Sequence, residues 1–174
     1  MGAIMPDGVV SLRNFLLLFV LALVFKFALF GPITRRIGDD EPAHDTFDVR
    51  WKGYTANEAI GVLNAYGQEG RRLYRLLDLT VDLVFPLIYS SMLAIAIAAA
   101  FAKTAFRPLV ALPFIAALFD YGENFSVVTM INRFPHVEGV VRLASFCTQM
   151  KCALLAVSFV LAIISGVALL PRAR

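Results

Sequence analysis

Apolar residues run almost unbroken through four stretches of the chain, 15–30, 81–102, 109–131 and 152–170, and polar residues gather between them. Each stretch approaches the ~20 residues that a helix needs to cross ~30 Å of hydrocarbon at ~1.5 Å per residue. The pattern predicts an all-α polytopic membrane protein, a four-helix transmembrane bundle forming one domain over 1–174. Its spans are expected at about 14–31, 71–102, 109–133 and 138–170, with a connection over 32–69. Within that connection Thr55-Ala56-Asn57-Glu58 reads as a capping box, Glu58 reaching back to Thr55. The helix that it starts, over 56–66, gathers Ala59, Val62, Leu63 and Tyr66 on one side and stops at Gly67. It is too short to span, so it is expected on the outer membrane surface or over the mouth of the bundle.

Composition agrees with this picture. The chain is 59% hydrophobic and 17% charged, against about a quarter charged in soluble domains. Arg13, Lys103, Arg107, Arg172 and Arg174 lie in the two tails and the turn between the second and third spans, opposed only by Asp7. The long connection to Asp78 has seven Lys/Arg but eight Asp/Glu. The positive-inside rule then puts both termini in the cytoplasm and the first connection outside an inner (plasma) membrane. The first stretch, following Arg13, also resembles a signal peptide. The small-residue cleavage pattern at Leu29-Phe30-Gly31-Pro32 is poor, so it is read as a retained anchor that ends at Gly31-Pro32.

Few motifs of known chemistry are present. Gly38-Asp39-Asp40-Glu41, His44, Asp45 and Asp48 match neither a calcium loop nor a zinc helix, so they read as a solvated acidic loop with no metal. Cys147 and Cys152 are separated by roughly 140° around a helix, too far to bridge within it. No phosphate-cradling glycine loop, His-Glu-x-x-His or nucleophile elbow occurs, and no cofactor is expected. Arg71-Arg72 suits lipid headgroups rather than nucleic acid.

What stands out is Asp120-Tyr121-Gly122-Glu123-Asn124 in the middle of an apolar run. Ionisable groups at membrane depth are costly and need partners inside the protein. Asp120, Glu123 and Asn124 share one helix face, and Gly122 admits a close neighbour. On the second span Arg71, Arg75, Asp78, Asp82, Pro86 and Tyr89 form one stripe, its charged upper part able to pair along the helix. Pro86 leaves the carbonyl of Asp82 without its helical donor. Lys151 lies on the small-residue stripe of the fourth span, so it points into the bundle. Lys26 either snorkels to the outer interface or pairs with a buried carboxylate.

A rise of ~1.5 Å per residue brings Tyr89 level with Asp120–Asn124, and Asp82 and Lys151 just above. The expectation is a polar, ligand-binding pocket in the outer half of the bundle, made by Asp82, Tyr89, Asp120, Glu123, Asn124 and Lys151. It would bind a small amphiphile or lipid from the bilayer, or hold a partner subunit or a second copy. The alternative is a lipid- or isoprenoid-modifying enzyme, with Glu123 or Asp120 as acid/base and Lys151 stabilising charge. A third reading is an ion-pair network that only fixes helix register.

Gly70-Arg71-x-x-Tyr74, Asp82-x-x-x-Pro86-x-x-Tyr89 and Asp120-x-x-Glu123-Asn124 together resemble a pattern of uncharacterised small bacterial four-helix integral membrane proteins. The resemblance covers Thr55 to about Pro135 and implies the four-span layout but no activity. The layout is also similar to the sterol-isomerase superfamily, from which the long first connection departs.

Overall fold

A computed structural model describes residues 9–37 and 46–169, with side chains to 167. The acidic run 38–45 and the tails that hold Asp7, Arg172 and Arg174 lie outside the described residues, as does the expected end of the fourth span at 170. Within them the chain is all-helical. In order come α1 (Leu12–Val24), a π-helical turn (Phe25–Phe30) and α2 (Gly31–Thr34), then α3 (Ala56–Ala65), α4 (Gly67–Leu79), α5 (Val81–Phe101), α6 (Leu112–Arg133) and α7 (Val141–Leu169). Short 3-10 turns stand at Phe47–Val49 and Arg107–Ala111.

Among the described residues three helices are long and apolar enough to cross a membrane: Leu12–Thr34, Val81–Phe101 and Val141–Val167. α6, at 22 residues, is long enough as well, but its central Asp120–Asn124 makes it less apolar. α5 is the central helix, packed on α1, α6 and α7. The outward faces of the long helices are apolar; Phe27, Leu118, Phe125 and Ile163 are all exposed. A soluble monomer does not carry such a continuous apolar surface, whereas a membrane covers it.

α6 and α7 start three residues later than expected, at Leu112 and Val141, and two further boundaries differ from the sequence reading. Gly31-Pro32 does not stop the first helix, which continues to Thr34. Pro32 has no N–H to give, and the turn before it widens so that Gly31 N–H reaches the carbonyl of Lys26. The second expected span is not one helix from 71 to 102, because Thr80 (φ −130°, ψ −80°) separates α4 from α5. Thr80 Oγ1 donates to the carbonyl of Leu76 at 2.6 Å, taking the acceptor that the helical backbone would have used.

The capping box at α3 forms as expected, with both Thr55 and Glu58 reciprocally bonded. Gly67 (φ +60°) makes the turn from α3 into α4. Gly122 lets α6 and α7 touch: a Cβ there would stand 2.9 Å from Cys147 Sγ.

The core at the α3 end of the bundle is aromatic. Phe47 is fully buried against Tyr54 and Tyr74, with ring centroids 4.9 and 6.1 Å away, and Tyr66 packs on Tyr74 at 5.5 Å. This cluster pins the segment from Thr46 to Tyr54 over the bundle. α7 straps the same segment down: Ser145 Oγ accepts from Tyr54 N at 2.9 Å and Gln149 Nε2 donates to the Lys52 carbonyl at 2.9 Å. Gly53 (φ +81°) is required where these two side chains meet the backbone, since a Cβ would lie 2.6 Å from Gln149.

Candidate functional site: a buried lysine among carboxylates

Lys151 is the hub. Helix α7 places it 5% exposed at the level of the Asp120–Asn124 turn of α6. Its ammonium donates to Asp120 Oδ1 at 3.0 Å and to Asp48 Oδ1 at 3.1 Å, and it pairs with Glu123 Oε2. Asp120 and Glu123 lie one turn apart on α6, so their carboxylates reach the same ammonium from one face. Tyr89 Oη, on α5, donates to the other oxygen of Asp120 at 2.8 Å. Tyr74 Oη, on α4, donates to the second oxygen of Asp48 at 3.2 Å. Four helices and the Phe47–Val49 turn thus converge on one point.

Asn124 acts nearby but differently. Its Nδ2 donates at 3.2 Å to the backbone carbonyl of Asp82, the acceptor that Pro86 leaves open. Asp82 therefore joins the site through its main chain; among the described residues it makes no ion pair with Lys151. Its side chain is 4% exposed, and Asp78, one turn above, is 3% exposed with Oδ2 unpartnered among the described residues. Glu123 Oε1 is likewise without a hydrogen bond.

All six sequence-derived residues, Asp82, Tyr89, Asp120, Glu123, Asn124 and Lys151, are buried in this region, and three of them, Tyr89, Asp120 and Lys151, form one continuous hydrogen-bonded chain. Lys151, Asp120, Glu123 and Tyr89 close on each other directly, while Asn124 reaches the main chain of Asp82. Asp48 was not foreseen. The reading of 38–48 as a solvated loop is corrected at this residue, whose carboxylate turns inward to Lys151. The local signal was Phe47-Asp48-Val49, an acid between two apolar residues in a polar stretch, and Phe47 is the anchor that draws it in. The charged stripe is also corrected. Arg71 donates to the Leu63 carbonyl at 2.7 Å and lies over the Phe134 ring, while Arg75 donates to Asn132 at 3.1 Å. Neither pairs along its own helix among the described residues. Lys26 is exposed, its ammonium 5.9 Å from the Phe30 ring centroid, as a snorkelling lysine would be.

Burial pushes the pKa of Asp48 up, but the charge of Lys151 and the hydrogen bonds from Lys151 and Tyr74 outweigh it and hold the group below its ordinary 3.8. Asp48 is also the member that meets solvent, its side chain 32% exposed. The ligand atoms of Asp48, Asp120 and Glu123 lie within 4.8 Å of one another, a spacing that suits a cation, and the Lys151 ammonium pairs with all three. The arrangement thus holds the positive charge of Lys151. No protein family, curated protein or solved structure matched the chain.

Proposed function

We propose that this chain is a four-span integral membrane protein, with α6 as the fourth span, and that its acid–lysine centre binds the cationic headgroup of a small amphiphile. Both termini face the cytoplasm in this reading, and the centre lies toward the outer side of the inner membrane. The observation that carries the reading is an imbalance of charge. Asp78, Asp82, Asp120 and Glu123 are buried, against Lys151 as the one buried base among the described residues. An ion pair that only fixes register needs one acid for each base. A surplus of acids in a low-dielectric site calls for more positive charge, because an uncompensated buried carboxylate is too costly to keep. A ligand ammonium supplies that charge. Entry is past Asp48, which sits at the solvent edge on the short 3-10 turn Phe47–Val49 rather than on one of the long helices. The ligand is amphiphilic because the centre adjoins helices whose outer faces are apolar.

Native mass spectrometry of the detergent-purified protein tests this, with octylammonium as the probe and octyl sulfate as its anionic counterpart. The wild type should retain octylammonium and not octyl sulfate, and Asp120→Asn/Glu123→Gln should lose it. Equal retention of the two probes, or equal retention of octylammonium by wild type and variant, refutes the proposal.

A further inference from the structure

We infer a second, separate site: the cleft between α4 and the outer end of α6 seats an anionic phospholipid, its phosphate on Arg72 and Arg75. α4 is two-faced. Tyr74, Leu77 and Asp78 are buried, while Arg72, Arg75, Leu76 and Leu79 look outward. These four fall on one face at helical spacing, and Leu83, at the start of α5, continues it. The order along that face is guanidinium first and then leucine toward the apolar span, which is the order of phosphate and acyl chain in a phospholipid.

The cleft has two adjoining parts that share Arg72, Arg75 and Asn132. Glu69 also lines both parts; one, of about 470 Å³, is floored by Leu76, Leu79 and Val128, and the other, of about 530 Å³, is polar. The arginines differ in what they are free to do. Arg71 is committed to the Leu63 carbonyl and the Phe134 ring, so it holds the cleft wall and adds only its charge. Arg75 is steadied by Asn132, which leaves most of its five N–H donors for an anion. The side chain of Arg72 is 75% exposed and its pairing with Glu69 spans 3.7 Å, a surface contact weak enough to yield to a phosphate. The leucine floor distinguishes a lipid from a free phosphate, which would have no use for it. This site shares no residue with the Lys151 centre.

Thermal unfolding in detergent tests the inference, with phosphatidylglycerol, phosphatidylcholine of the same acyl chains, and inorganic phosphate added separately. Phosphatidylglycerol should raise the Tm of the wild type by several degrees more than either other addition. The difference should fall by at least half in Arg72→Gln/Arg75→Gln, whose changes are on exposed side chains, and persist in Arg13→Gln/Lys103→Gln at the opposite end. Equal shifts with both lipids, a preference that survives in Arg72→Gln/Arg75→Gln, or a full shift from inorganic phosphate alone would overturn it.

Discussion

Pro86 and Asn124 work as a pair of residues on different helices. The proline withholds a donor from the Asp82 carbonyl, and the asparagine replaces it. Asn124→Leu should therefore cost about 1–3 kcal/mol, the penalty for leaving a buried polar group unmade. Adding Pro86→Ala restores a backbone N–H on α5, so the double variant should regain part of that loss; chemical denaturation in detergent measures both. The orphaned carbonyl was legible because a missing N–H is local to the proline. Lys151 was legible in the same way, as a charge on a small-residue stripe. Asp48 was not, because it meets Lys151 across a separation of 103 residues and only after Phe47 is buried. Lys151→Met should cost roughly 3–5 kcal/mol, since it strands carboxylates in the bundle. The pH response belongs to Asp48. With its folded pKa below the ordinary 3.8, its contribution is fully present above that value and is lost as the pH falls through the folded pKa. Acid should release the segment from Thr46 to Tyr54, read by the fluorescence of Trp51, the single tryptophan. Asp48→Asn should remove that acid step.

At the level of elements, the contact between α6 and α7 depends on one missing side chain. A Cβ on Gly122 would meet Cys147 Sγ at 2.9 Å, and the next nearest atom, Cys147 Cβ, at 3.9 Å. Gly122→Ala should destabilise by about 1–3 kcal/mol through overpacking. Cys147→Ala removes the sulfur and leaves ordinary contact, so Gly122→Ala/Cys147→Ala should recover most of the loss. If the single variant unfolds at the wild-type denaturant concentration, the helices are not held at this distance. Which helices exist was plain from the apolar runs, and the capping box at Thr55 marked α3 to within a residue. Where they bend was less plain. The break at Thr80 arises because its hydroxyl bonds the Leu76 carbonyl, a choice that threonines inside many helices do not make. The π-helical turn before Pro32 likewise depends on the register of the whole first helix, beyond what Gly31-Pro32 alone conveys.

For the molecule as a whole, the direction of the helices bears on how many cross the membrane. α5 descends from Asp82 and Tyr89, at the level of Asp120 and Lys151, to Ile97 and Ala98, which pack near Leu161 and Ala162. α7 descends over the same interval, from Lys151 to Leu161, so the two run the same way. If both cross the membrane, the chain must return between them, and α6 is the segment that makes the return. Its buried acids account for its lower apolarity without removing it from the bundle. The sidedness needs a separate argument, because the fold turns Asp48 and Asp78 inward and so withdraws two of the eight acids in the first connection. The charge bias that set the orientation from sequence is weaker once these two are discounted. Single cysteines at the exposed positions Gln68, Thr104 and Glu138, in a Cys147→Ala/Cys152→Ala background, decide both points. A membrane-impermeant maleimide applied to intact cells should label Gln68→Cys and Glu138→Cys alike, and Thr104→Cys only after the membrane is opened. Labelling of Thr104→Cys and Glu138→Cys alike, and opposite to Gln68→Cys, removes α6 as a span, whereas the reverse of the expected pattern keeps four spans and inverts them, moving the Lys151 centre to the cytoplasmic side.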